Sequence, residues 1–132
     1  MSNVIAIALA AILSVESNCG RNKRNGDNGR AVGDFQTWCI AVDEANRVEK
    51  IMAKRENRVP RKWSYSDRHS HERSREMCRT TLVWHYMRGT TNSVDLACKW
   101  NVPYKRHANP KYRAKITIAI NQQKKQKEGI GL

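Results

Sequence analysis

Apolar residues fill almost every position from Val4 to Val15, in the run VIAIALAAILSV. Alanine and leucine favour helices, and a run that is apolar on all faces is typical of a helix buried within a core. The pattern therefore predicts a first helix over residues 3–17, with the carboxylate of Glu16 at its C-terminal end. Because the run is too short to span a bilayer and no basic residue precedes it, we expect neither a membrane anchor nor a signal peptide.

Apolar residues recur at steps of three and four in later parts of the chain, which is the spacing of a helix with one buried face. Asn92 or Ser93 suits the cap of a short helix, and Asn109 followed by Pro110 is typical of a helix start. We expect further helices over residues 37–58, 71–88, 94–98 and 110–121.

The polar segment from residue 18 to residue 33 interrupts this helical pattern. Its glycines and the turn signals N-G and D-N-G predict a loop or a small β-hairpin. The chain is therefore expected to be mainly α, of the α+β kind, with one compact helical domain over residues 1–121 and a glycine-rich lobe beside a cleft. A basic C-terminal tail over residues 122–132 is expected to fray.

The charge balance is strongly basic, with 25 lysines and arginines against 12 acids and a formal net charge of +13. Such a field attracts polyanions, and nucleic acid, an anionic membrane surface and an anionic cell wall all satisfy it. Charge alone does not choose among these partners. No helix-turn-helix, zinc-finger or RNA-binding signature accompanies the charge, so a basic non-enzymatic virion or nucleic-acid-binding protein is the second hypothesis.

The four cysteines form no C-x-x-C pair, which excludes a zinc ribbon or a thioredoxin-type site by spacing. Two disulfides can form if the chain reaches an oxidising compartment, but reduced, partly buried thiols at Cys39, Cys78 and Cys98 fit the predicted helices better. His69 and His71 stand close together without the cysteines or carboxylates of a metal site. We therefore expect no metal and no cofactor.

The segment from Ile12 to Trp38, ILSVESNCGRNKRNGDNGRAVGDFQTW, holds the candidate chemistry. A carboxyl group at the rim of an apolar helix has its charged form disfavoured, so the pKa of Glu16 should rise and Glu16 can act as the acid in glycoside cleavage. The transition state has oxocarbenium character, which a second carboxylate or a held water helps, and Asp27 is the natural second carboxylate. Gln36 can hold a sugar by paired hydrogen bonds, and Gly33 lets the chain pass close to a ligand.

The sequence V-E-S-N at residues 15–18, followed by G-D-N-G-R-A-V-G-D-F-Q at residues 26–36, resembles the superfamily of soluble lytic transglycosylases and goose-type lysozymes. Phage and bacterial wall-degrading domains are the most similar form. Members carry a Glu-Ser motif at a helix end and then a G-x-x-Q motif. The resemblance implies a lysozyme-like fold in which Glu16 donates the proton, Asp27 positions the water, and Ser17 and Gln36 contact the substrate.

Two later motifs extend the resemblance. D-L-A-C-K-W-N at residues 95–101 is similar to a motif whose final asparagine contacts the substrate, which implies that role for Asn101. A tyrosine near the last helix often lies by the catalytic glutamate in this superfamily, and Tyr112 is the matching residue. The chain departs from the pattern at Val102 and at Trp38, which stands where goose-type lysozymes carry another acid, so hydrolysis and transglycosylation both stay open.

The resemblance implies a monomeric muramidase that cleaves the β-1,4 bond between N-acetylmuramic acid and N-acetylglucosamine in peptidoglycan, for phage entry or host lysis. The protein would stay in the host cytoplasm or travel in the virion, and would reach the periplasmic wall through a holin pore or at entry. Its charge would add contact with an anionic wall polymer or a membrane surface. Structural alternatives stay open, with Glu16 as a helix cap or the partner of an arginine, Asp27 as a turn former, and Asn101 and Tyr112 as packing residues.

Overall fold

The computed structural model describes residues 1–21, 25–26, 29–101 and 109–130. These residues form the helices α1 (Ser2–Ser17), α2 (Cys39–Arg55), α3 (His71–Met87), α4 (Ser93–Asn101) and α5 (Pro110–Ile130). A short 3-10 helix over Tyr65–His69 lies before α3. The prediction of a mainly α fold is confirmed.

The glycine-rich segment contains no strand among its described residues. Its pairing consists of two isolated bridges, Gly26 with Ala31 and Val32 with Thr37. Gly33 and Gln36 both have positive φ and lie inside the turn that the Val32–Thr37 bridge closes, so the backbone there reverses instead of extending as a strand. The described part of the segment is therefore a loop of bridged turns rather than a β-hairpin.

Asparagine side chains begin the last two helices, as the sequence predicts. The Asn92 carboxamide oxygen accepts hydrogen bonds from the amides of Val94 and Asp95, at 2.9 and 3.2 Å. The Asn109 oxygen accepts from the amide of Lys111 at 2.9 Å. These bonds satisfy amides that have no partner within their own helix, and they fix where each helix starts.

Helix α1 is central to the core, because it packs against α3, α4 and α5, whereas α2 packs mainly on α3. Its buried side chains meet apolar side chains of those three helices in one cluster, which includes Ile5, Leu9, Ile12, Leu82, Leu96 and Ile116. Trp63, Trp84 and Trp100 are buried, as expected of core residues. All four cysteines are free thiols, and Cys78 and Cys98 are buried.

Helix α5 continues through the segment that the sequence suggests as a fraying tail, as far as Ile130. The Gln123 carboxamide donates to the carbonyl oxygen of Ile7 at 3.2 Å, so this part of α5 contacts α1. None of the helices in the described ranges is both long and apolar enough to cross a bilayer.

A buried carboxylate links α2 to the segment that follows it. Glu49 is 0% exposed, and its two oxygens accept from Arg58 Nη2 and Arg61 Nε, each at 2.6 Å. Arg61 also donates to the Thr80 hydroxyl on α3 at 3.2 Å. Burial alone would raise the pKa of Glu49, but the hydrogen bonds and positive charges of Arg61 and Arg58 outweigh burial and lower it. The three side chains thus anchor the chain after α2 to the helix pair α2–α3.

Replacing Glu49 by glutamine should lower the free energy of unfolding at neutral pH by about 2 kcal/mol, because two hydrogen bonds lose their charge assistance. The pKa of Glu49 is lower in the folded state than in the unfolded state, so its contribution is present above the unfolded-state pKa and is lost as pH falls through the folded-state pKa. Urea titrations of Glu49→Gln and the wild type should therefore converge at acid pH. Glu128→Gln, on the exposed side of α5, is the control, and a pH-independent difference for Glu49→Gln would contradict the analysis.

Candidate functional site

Glu16 lies in the last turn of α1, partly buried, where the apolar core meets the surface. Two buried groups lie close enough to respond to its charge. Burial raises the pKa of the Cys78 thiol on α3 well above its ordinary value, and the negative charge of Glu16 raises it further. Burial likewise raises the pKa of Tyr112 on α5, and the charge of Glu16 and hydrogen bonding to it add to the rise. Helices α1, α3 and α5 therefore converge at this carboxylate.

Tyr112 is 8% exposed, and no acceptor among the described residues meets strict hydrogen-bond geometry with its hydroxyl. The contact with Glu16 is therefore longer or less well aligned than an ordinary hydrogen bond. The structure thus brings together Glu16 and Tyr112, the two residues that the resemblance associates. It also places Cys78, which the sequence analysis did not select as a site residue, beside them.

The backbone after Glu16 reverses sharply at the end of α1. Asn18, Cys19 and Gly20 all have positive φ, and the amide of Cys19 donates to the carbonyl oxygen of Leu13 at 3.2 Å. The buried Ser17 hydroxyl accepts from the amide of Gly20 at 2.9 Å and donates to Leu13 at 3.2 Å. Ser17 therefore serves the end of the helix, and its contact with a substrate stays a prediction.

Gln36 holds the glycine-rich loop together. Its carboxamide nitrogen donates to the carbonyl oxygen of Gly33 at 2.8 Å, and its oxygen accepts from the amide of Gly26 at 2.9 Å. A methyl group added at Gly26 would lie 2.7 Å from that oxygen, so the Gln36 side chain would have to shift to accept it. The predicted hydrogen bonds of Gln36 to a sugar stay a prediction, since these two contacts bind the loop to itself.

Gly33 permits a close approach of two backbone segments. A Cβ atom at Gly33 would lie 2.0 Å from the carbonyl oxygen of Arg68, at the end of the 3-10 helix. Arg68 in turn donates through its guanidinium to the carbonyl oxygens of Arg30 and Thr37, at 3.2 and 3.3 Å. Contact with the chain itself is thus enough to require glycine at Gly33, and the expected approach to a ligand stays a prediction.

Two further contacts attach the loop to the helical core. Trp100 donates from its indole nitrogen to the carbonyl oxygen of Phe35 at 2.9 Å, and both side chains are buried. Asp34 Oδ2 lies 2.7 Å from His71 Nδ1, at the start of α3. The Asp34 carboxylate also lies against Gly20, where an added Cβ would be 3.2 Å away. Asp34 therefore joins the loop both to α3 and to the turn that follows Glu16.

The sequence analysis missed the Asp34–His71 pair and the exposure of Trp38. No local pattern predicts the first, because the two residues lie far apart in the chain and meet only through the fold. Trp38 is 36% exposed beside the loop, with the Arg30 guanidinium 5.9 Å from its ring. An exposed indole offers a flat apolar surface with a polar edge, on which a sugar ring can stack.

Two predicted site residues lie wholly or partly outside the part of the chain that the structure describes. Asp27 lies outside the described residues, and for Asn101 only the backbone is described, as the last residue of α4. Their roles stay predictions. Among the side chains that the structure describes, no three His, Cys, Asp or Glu residues gather as metal ligands would.

No family model matches this chain, nor does any curated protein or solved structure.

The loop geometry predicts that Gly33→Ala destabilises the protein far more than Gly29→Ala. Both glycines have positive φ, +80° and +84°, so each alanine should cost about 1 kcal/mol in backbone strain. Only at Gly33 does the new Cβ meet another atom, whereas nothing described lies within 4 Å at Gly29. Urea unfolding should therefore give a loss of about 3 kcal/mol for Gly33→Ala. Equal losses for the two variants would show that the loop does not pack on Arg68.

Proposed function

We propose that this protein is a peptidoglycan-degrading muramidase, and that the end of α1 and the glycine-rich loop border its substrate cleft. One observation carries the proposal, namely that the partly buried Glu16 carboxylate lies beside the buried groups of Tyr112 and Cys78. Water is largely excluded on that side, which disfavours the charged form of a carboxyl group. A carboxylic acid that keeps its proton near neutral pH is what cleavage of a glycosidic bond requires.

In the proposed reaction, Glu16 donates its proton to the oxygen between N-acetylmuramic acid and N-acetylglucosamine. The bond from C1 of the muramic acid to that oxygen breaks, its electron pair goes to the oxygen, and C1 acquires oxocarbenium character. If Asp27 holds a water molecule, that water attacks C1, passes a proton to Asp27, and leaves a reducing sugar. If it does not, the 6-hydroxyl of the same sugar attacks C1, returns a proton to Glu16, and forms an anhydro ring.

The loop residues have supporting roles in this proposal. Gln36 and Ser17 fix the loop and the turn that border the cleft, and the exposed Trp38 offers a stacking surface for a sugar. Asn101 contacts the substrate, as the resemblance implies. In a phage setting, the enzyme is made in the host cytoplasm or carried in the virion and acts on the cell wall at lysis or at entry.

The decisive test is Glu16→Gln in a zymogram on purified peptidoglycan. The amide cannot donate an acidic proton, so the cleavage rate should fall by a factor of about 10²–10⁴. Glu72→Gln, an exposed change of the same kind at the start of α3, should leave the rate unchanged. Circular dichroism should show the same helical content for both variants.

Mass spectrometry of the released fragments assigns the reaction, because anhydro sugars mark transglycosylation and reducing ends mark hydrolysis. A wild-type protein that leaves the wall intact across a range of pH would refute the proposal. Full activity of Glu16→Gln would remove Glu16 from the catalytic role.

The hydroxyl of Tyr112 should tune the acidity of Glu16. A hydroxyl that faces a carboxylate stabilises its charged form, so Tyr112→Phe should raise the pKa of Glu16. Because Glu16 must be protonated to act, the alkaline limb of the pH–rate profile should move to higher pH. Tyr65→Phe is the matched control, since it removes a hydroxyl that donates to a different carboxylate, Asp43, at 2.9 Å. An alkaline limb that stays in place in Tyr112→Phe would mean that Tyr112 only fills space.

A further inference from the structure

Two surface grooves meet at Arg61, and neither is lined by Glu16, Tyr112 or Cys78. One, of about 480 Å³, lies between the end of α2 and α3 and includes Arg58 and Arg79. The other, of about 600 Å³, lies along α2 and includes Lys50 and Lys62. Together they form what we term the basic groove, lined by the cations Arg47, Lys50, Arg58, Arg61, Lys62 and Arg79.

The acids that line the basic groove are too few to neutralise it. Asp43 and Glu56 line it, and Glu49 and Glu44 pair with its arginines, so four carboxylates meet six cations. Lys50, Lys62 and Arg79 are exposed and make no hydrogen bond or ion pair with the described part of the chain. The basic groove therefore has a surplus of positive charge available to a ligand.

Two of its arginines are held in fixed positions. The buried Glu49 carboxylate binds Arg58 and Arg61 from beneath, and the Arg61 guanidinium also lies 5.1 Å from the ring of Trp63. Their outer faces are exposed, because the side chains are 34% and 45% accessible. Guanidinium groups oriented in advance lose less freedom on binding and match the oxygens of a phosphate group.

The shape and lining of the basic groove favour a thin chain of phosphates without bases. No aromatic side chain is among its described lining residues, so the lining itself offers a nucleobase no ring on which to stack. The half-exposed Tyr65 touches the lining through its hydroxyl, which donates to Asp43. Cations along two open grooves that meet at Arg61 fit phosphates that repeat along a flexible chain.

We propose that the basic groove binds a polyol-phosphate polymer of the cell wall and so holds the enzyme against its substrate. The source of the ligand rests on the muramidase function proposed above, whereas the binding itself does not. Cleavage at Glu16 and attachment at the basic groove then depend on different residues, so a variant that loses one activity should keep the other.

The test measures binding of fluorescently labelled poly(glycerol phosphate) to the full-length protein by anisotropy, over a series of salt concentrations. The variant Lys50→Gln/Lys62→Gln/Arg79→Gln should bind at least about tenfold more weakly, and the slope of log affinity against log salt should fall by about 2 as three phosphate contacts are lost. The matched control Lys124→Gln/Lys125→Gln/Lys127→Gln removes the same charge from the exposed end of α5 and should keep the wild-type slope.

The other outcomes overturn the proposal. Equal weakening in both triple variants would mean that net charge alone attracts the polymer. Tighter binding of single-stranded DNA than of poly(glycerol phosphate), at equal phosphate and salt, would assign the basic groove to nucleic acid. Glu16→Gln should bind the polymer as the wild type does. A wild-type protein that binds the polymer but does not cut the wall would refute the muramidase proposal and leave the binding proposal standing.

Discussion

The candidate site depends on where and how helix α1 ends. An apolar helix packed against three others cannot continue into water without exposing its side chains, and its last carbonyl oxygens need donors. Asn18, Cys19 and Gly20 have positive φ and meet both demands. The amides of Asn18 and Cys19 donate to carbonyl oxygens of α1, and the positive φ values turn the chain away from the helix. Glu16 therefore lies in the last helical turn before the reversal, where its side chain is partly buried.

The helices could be predicted from the sequence because their signals are local. Apolar spacing and the capping residues Asn92 and Asn109 act within a few positions, and the structure has the helices at the predicted places. The loop could not be predicted in the same way, since its conformation is fixed by distant partners. Gly33 signals a turn, but its close neighbour Arg68 comes from another segment. The surroundings of Glu16 could be predicted in part. The resemblance suggests Tyr112 as a neighbour, whereas no sequence pattern indicates Cys78.

Glu49 shows how a core requirement shapes the surface. A carboxylate that is wholly buried must be paired, and in this protein both its oxygens bind arginines whose other faces are exposed. The long side chains of surface lysines, such as those near the end of α5, have no such support and sample many rotamers. The positive charge of the protein is thus of two kinds, one rigid and one flexible.

The meeting of Glu16 with Tyr112 joins the first helix of the chain to the last. The ribosome synthesises α1 before α4 and α5, so the apolar surface of α1 stays uncovered until those helices have been made. The carboxyl group likewise acquires its tyrosine neighbour only after synthesis has passed residue 112 and α5 has packed on α1. An incomplete chain therefore has the acid without its surroundings. For the muramidase proposed above, such late assembly would restrict cleavage to chains in which α5 has packed on α1.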